Sequence, residues 1–162
     1  MPERRQVRTN PRLAIPGRRT FLLTHIVLDL NGTLAVDGKL IPGVKGRLRD
    51  LSQRFTIVVL TADTFGTAHR ALHSISLESA TVATGEDKLK ALSTKTWKST
   101  IAIGNGCNDI AMLRAARLGI VVLGPEGTAS ELLQQADIVV RDVRDALDLL
   151  LHPRRLMATL RK

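Results

Sequence analysis

A lone cysteine, Cys107, among 162 residues excludes a disulfide framework and any zinc site built from several thiolates. Aromatic residues are nearly as scarce: three Phe, one Trp and no Tyr. A platform for successive stacked bases needs several aromatics on one face, so the composition argues against nucleic acid as the partner. No run approaches the roughly 18 unbroken apolar residues of a membrane span, which argues equally against a membrane partner.

The remaining composition reads as a globular chain. Hydrophobic residues make up 44% and charged residues 24%, enough for a core without covalent staples. The net charge of +9 sits at the ends. Residues 1–20 hold six Arg and one Glu, residues 153–162 hold four cations and no acid, and residues 21–152 balance 14 cations against 14 acids. Residues 1–20 therefore read as a basic, disordered leader with no apolar periodicity to fold on. A weak grip on a polyanion is the alternative. The stretch Arg18-Arg19-Thr20-Phe21-Leu22-Leu23 resembles a twin-arginine export signal, but Asp29 interrupts the apolar region and no A-x-A site follows. The expected location is the cytoplasm.

Between the ends, short apolar runs alternate with amphipathic ones. The runs are 25–30, 55–60, 80–84, 100–104, 119–123 and 137–140; they are rich in β-branched residues and bounded by Gly, Asn or Asp, as buried strands are. Helical patterns fill 44–54, 64–76, 87–97, 108–117, 128–135 and 143–151, and 153–162 reads as a basic amphipathic helix packed on the domain. This alternation predicts an α/β fold, a Rossmann-like three-layer sandwich with a mostly parallel central sheet, spanning 21–152.

In such sheets the ligand lies beyond the carboxyl ends of the strands. Three clusters should converge there: Asp29-Leu30-Asn31-Gly32-Thr33, Thr61-Ala62-Asp63, and Gly104-Asn105-Gly106-Cys107-Asn108-Asp109. Hydroxyls, amides, carboxylates and glycines are the inventory of a phosphate-and-metal site.

These clusters resemble the motifs of the haloacid dehalogenase (HAD) superfamily, more narrowly the small soluble relatives of the P-type ATPase phosphorylation domain. DLNGT is similar to the first motif, D-x-[D/T]-G-T, LTAD to the second, and GNGCND to the fourth, with Lys88 as the third-motif lysine. Lys90 and Lys95 are alternatives for that lysine. The resemblance covers about residues 24–150. It implies a Mg2+-dependent phosphatase with Asp29 as the nucleophile, acting on a phosphorylated small molecule or macromolecule. The metal ligands it implies are Asp29, the Asn31 carbonyl, Asn105 and Asp109, the last either as a ligand or as a support behind the ligands, with Asn108 supporting. It also implies that Gly32, Thr33, Thr61, Ala62 and Lys88 hold the phosphoryl group.

Two positions depart from the pattern. Most HAD phosphatases carry a second Asp, the general acid/base, where this chain has Asn31, and a metal-binding Asp where it has Asn105. An amide shuttles no proton and brings no charge to a cation. These departures keep a second reading in play, a non-catalytic phosphate-binding or regulatory protein.

Only 27 residues separate Thr33 from Thr61, too few for a nucleotide-binding domain or a large cap. Residues 34–42 can form a small flap with Asp37-Gly38 as its turn. A site so open suits a bulky substrate or a cover from a neighbouring subunit, and hence a homo-oligomer. The G-x-G-x-x-G-like reading of 104–109 fails at Asp109. His69 and His73, four apart on a helix, lack a third metal ligand.

Overall fold

The computed structural model describes residues 12–14, 20–62 and 67–162, and for 67–69 the backbone alone. Most of the proposed leader, Arg18-Arg19, Asp63 and the His69 side chain lie outside the described residues. In chain order the elements are β1 (Arg12–Leu13), β2 (Phe21–Leu22), β3 (His25–Asp29), β4 (Ala35–Val36), β5 (Lys39–Leu40), α1 (Val44–Ser52), β6 (Thr56–Thr61), α2 (Thr67–Leu72), β7 (Glu78–Thr81), α3 (Gly85–Lys90) and α4 (Thr94–Trp97). Next come β8 (Thr100–Gly104), a 3-10 turn (Cys107–Asp109), α5 (Ile110–Ala115), β9 (Leu118–Val122), α6 (Ser130–Leu133), β10 (Ile138–Val140), α7 (Val143–Leu151) and α8 (Pro153–Leu160).

Six strands form one parallel sheet in the order β10-β9-β8-β3-β6-β7. Successive side chains on a strand face opposite ways, and the core divides accordingly. On one face Ile26, Leu28, Ile57, Val59, Ile101, Ile103 and Ile120 join α1, α7 and α8. On the other, Val27, Val58, Leu60, Ala102 and Val121 meet Trp97, Met112 and Leu113. The architecture is the expected α/β three-layer sandwich with no large cap among the described residues. Among those residues no helix is long and apolar enough to cross a membrane.

Three differences from the sequence reading have physical causes. The expected helix over 87–97 is two helices. Thr84 caps α3, with Asp87 bonding back to close a capping box, and Ser93 accepts from Thr96 N to cap α4. A capping side chain within an amphipathic run starts a new helix. The third strand lies earlier, at Glu78–Thr81, because an edge strand needs no continuous apolar run. The folded region also begins before residue 21: Arg12–Leu13 pairs antiparallel with Phe21–Leu22, and Leu13 is 2% exposed within the core.

The flap forms as a two-stranded hairpin, β4–β5, whose turn residues Asp37 and Gly38 have φ of 50° and 72°. Two left-handed residues in succession are what the tight hairpin turn demands. Further along the chain, α1 packs on α7, and Arg47 holds Asp148 through two bonds of 2.8 and 3.0 Å.

Leu147 lies fully buried on α7 whereas Leu133 on α6 is 42% exposed. Leu147→Ala should cost about 2–5 kcal/mol, and Leu133→Ala about 0.5 kcal/mol or less. Urea denaturation of the two variants checks the difference.

Candidate active site

The parallel register brings the motif residues to one edge of the sheet. Asp29 closes β3 and pairs with Leu60, so Thr61 sits one step further on the neighbouring strand. Asn105 follows β8 on the other side. The chain then turns sharply after Asp29. Leu34 N and Ala35 N both donate to Leu30 O at 2.9 Å, and Gly32 N donates to Ala35 O at 2.8 Å. Gly32 has φ of 78°, and a Cβ there would strike the Asn105 side chain. No other residue type meets both demands.

A buried ion cluster organises the site. Lys88 Nζ donates to Asp29 Oδ1 and to Asp109 Oδ1, each at 2.6 Å, and the Lys88 residue is 1% exposed. Asp109 Oδ2 accepts from Asn105 N at 2.9 Å and Gly106 N at 3.0 Å. A Cβ on Gly104 would fall 2.5 Å from the Asp109 Cγ, so only glycine lets the carboxylate fold back over its own loop. Thr33 Oγ1 lies 3.5 Å from Asp29 Oδ2 and 3.1 Å from Asn105 Oδ1. One hydroxyl thus joins the two oxygens.

Burial dominates the electrostatics. It pushes the Asp29 carboxyl up to about 6; the Asp109 charge adds to this, and Lys88 opposes it. Burial alone would lower the Lys88 ammonium, but Asp109 and Asp29 together outweigh it and hold the ammonium above its ordinary value.

The structure distinguishes among the expected site residues. Among the three lysines Lys88 enters the cluster. Lys90 pairs with Glu86 at the surface, and Lys95 is exposed. Asp109 has its side-chain oxygens committed within the protein. Both its oxygens are engaged by Lys88 and the loop N–H groups, and it is 0% exposed. Lys88, expected against a phosphoryl oxygen, spends two of its three N–H donors on carboxylates and keeps one. Thr33 and Thr61 are buried; Asn31, Ala62 and Asn108 are exposed.

A loop that carries no recognisable motif completes the wall. Asn105 Nδ2 donates to Gly127 O at 3.0 Å, Ala129 N donates to Asn105 O at 2.9 Å, and Asp37 N at the flap tip donates to Glu126 Oε1 at 2.7 Å. Sequence reasoning misses these residues. The loop lies directly after β9, so the rule that ligands lie beyond strand ends could have found it.

The side-chain oxygens that would meet a cation are Asp29 Oδ2 and Asn105 Oδ1, both within reach of Thr33 Oγ1, with the Asn31 carbonyl as the further ligand the resemblance implies. The hydroxyl shared by the first two shows that they face one region. All are hard donors of the kind Mg2+ takes, completed by water. The set fits such an ion with a single carboxylate charge.

No family model matches the chain. Two uncharacterized proteins of Methanocaldococcus jannaschii do: MJ0073, 56% identical over 64 residues (40% of this chain, 69% of that one), and MJ0072, 59% identical over 39 residues (24% of this chain, 89% of that one). The chain belongs to one family with them. Among solved structures, the 3-deoxy-D-manno-octulosonate 8-phosphate phosphatase of Moraxella catarrhalis, in complex with magnesium, phosphate and KDO, has a TM-score of 0.64 at 19% identity, over 86% of this chain and 94% of that one. The corresponding enzyme of Yersinia pestis also has a TM-score of 0.64, at 14% identity, over 85% and 84%. The cobalt-bound enzyme of Haemophilus influenzae has a TM-score of 0.60 at 13% identity, over 82% and 89%. The fold is that of a small uncapped HAD-type protein.

The cluster carries a pH signature. In Lys88→Met two buried carboxylates face each other without a cation, so the Asp29 carboxyl rises further above its unfolded value near 3.8. A raised folded pKa contributes stability at low pH that is lost as pH climbs through it. With metal chelated, the variant should lose about 3–5 kcal/mol at pH 8 and clearly less at pH 5, in urea titrations at both values. Equal losses would show that the ammonium does not hold the two charges together.

Proposed function

We propose that this uncapped HAD-fold chain is a Mg2+-dependent phosphatase that forms an aspartyl phosphate on Asp29. The observation that carries the reading is the ammonium of Lys88 locked between Asp29 and Asp109 at the mouth of the sheet. It aligns one carboxylate oxygen, Oδ1, while the other, Oδ2, meets the longer contact of 3.5 Å from the Thr33 hydroxyl. The solved phosphatases of the same fold support the reaction class.

The divalent cation supplies charge that offsets the repulsion between the Asp29 carboxylate and the incoming phosphoryl oxygens. An Asp29 oxygen bonds to phosphorus as the bond to the leaving oxygen breaks, and the electron pair departs with that oxygen. The Thr61 hydroxyl and the remaining N–H of Lys88 stabilise the equatorial oxygens. Water then attacks phosphorus, the bond to Asp29 breaks, and inorganic phosphate leaves. Thr33 keeps Asn105 Oδ1 and Asp29 Oδ2 in register throughout.

The amide at residue 31 narrows the substrate. With no acid there to protonate the leaving oxygen, esters whose alcohol is itself acidic, such as aryl phosphates, and acyl phosphates react faster than alkyl phosphates. The same exposed amide favours the second reading, a phosphate-binding protein without turnover.

A panel of aryl and alkyl phosphates, with Mg2+ and with chelator, tests the proposal. The wild type should hydrolyse aryl esters only with the metal, with rates rising steeply as the leaving group becomes more acidic. Asp29→Asn should abolish turnover. Asn31→Asp should raise turnover of alkyl esters by about 10²-fold and flatten the dependence on leaving group. Phosphate binding without any turnover would support the non-catalytic reading instead, and full activity in the Asp29 variant would falsify the mechanism.

A further inference from the structure

At the opposite, amino-terminal edge of the sheet lies a groove of about 490 Å³, within the range of about 300–1,000 Å³ typical of small-molecule sites. It is lined by Phe21 and Leu22 of β2, His25 at the start of β3, Lys95 and Lys98 around α4, and Arg117 before β9. Among the described residues no acidic side chain lines it, although residues 21–152 as a whole balance 14 cations against 14 acids. Among the described residues Lys95, Lys98 and Arg117 have no carboxylate partner. Glu78 supplies a negative field that reaches His25.

The walls are tied together. Thr24 N donates to Ser99 O at 2.9 Å, Thr24 Oγ1 donates to Ser99 Oγ at 2.9 Å, and Arg117 N donates to Thr100 O at 2.9 Å. Burial lowers the His25 pKa, with Glu78 in partial opposition. The Arg117 guanidinium lies 3.6 Å above the centre of the Phe21 ring. That contact orients a planar cation on an exposed residue, and a guanidinium plane is a surface on which nucleobases stack. Apolar surface from Leu22, which is 49% exposed, adjoins it.

We propose that this groove is a second, non-catalytic site for a nucleotide phosphate, with the base stacked on Arg117 and the phosphates against Lys95 and Lys98. The scarcity of aromatics argues against a long stacking platform. It leaves room for a site that stacks a single base on a guanidinium. The ligand can be a free nucleotide or one unit of an RNA strand. The inference is independent of turnover at Asp29.

Fluorescence anisotropy with a labelled adenosine triphosphate and with labelled oligouridylate tests the site on the full chain. At least one probe should bind. Arg117→Glu and Lys98→Glu should each weaken it roughly tenfold, and Lys98→Ala should lower the salt slope for the strand by about 1. Arg155→Glu, the same change of charge on α8, should leave affinity within about twofold, since phosphate contacts act locally, and Asp29→Asn should leave it unchanged. Binding of the mononucleotide identifies a free ligand; binding of the strand alone identifies RNA. Failure of both probes to bind, or equal weakening by Arg155→Glu, overturns the proposal, and circular dichroism of each variant verifies that the fold is kept.

Discussion

One ammonium between two buried carboxylates governs the geometry of the site. Lys88, Asp29 and Asp109 come from α3, the end of β3 and the turn after β8, three elements distant in sequence and adjacent in space. Removing three charges from water costs several kcal/mol per ion, and the cost is recovered only where every hydrogen-bonding position is filled. Here the Asp109 oxygens are filled by Lys88 and two backbone N–H groups. Gly104 is the geometric condition for that arrangement, because a side chain there would occupy the space of the carboxylate. The Thr84 cap sets where α3 begins, and through it where Lys88 points.

The cluster is not neutral. Two carboxylates and one ammonium leave a net charge of −1, concentrated near Asp29, and burial penalises that charge. A divalent cation, held there as proposed, would relieve that penalty. Amides at residues 31 and 105, where the motif pattern has acids, remove two further negative charges from this region. The protein thus carries fewer negative charges at this edge of the sheet than the motif pattern would. It compensates in part by fixing Asn105 at both ends of its side chain, through Thr33 and Gly127. The loop that supplies Gly127 also carries Glu126, which holds the flap tip, so Asn105 and the flap share one support.

Much of this is legible in the linear chain. The β-branched runs at 25–30, 55–60 and 100–104 read as strands because both faces of a parallel sheet are buried. Asp37-Gly38 reads as a turn because few residue pairs accept two left-handed conformations in succession. The strand-end clusters read as a site because parallel strands deliver their carboxyl ends to one edge. Less legible are β7, an edge strand with little apolar signal, and the break between α3 and α4, where Ser93 interrupts an otherwise continuous amphipathic pattern. The β1–β2 pairing is hidden because two-residue strands carry no periodicity and each finds its partner across a loop.

Composition, hydrophobic period and turn chemistry depend on neighbours along the chain. The α/β alternation, the parallel sheet, the flap turn and the polar clusters at the strand ends are therefore written in the linear order of residues. Packing in three dimensions selected Lys88 over Lys90 and Lys95, set Asp109 to serve the lysine and the loop, and brought the segment after β9 to brace Asn105. Those selections rest on distances between side chains far apart in sequence. Such distances arise only when helices and strands pack, and burial then makes each unpaired charge too costly to leave in any other place.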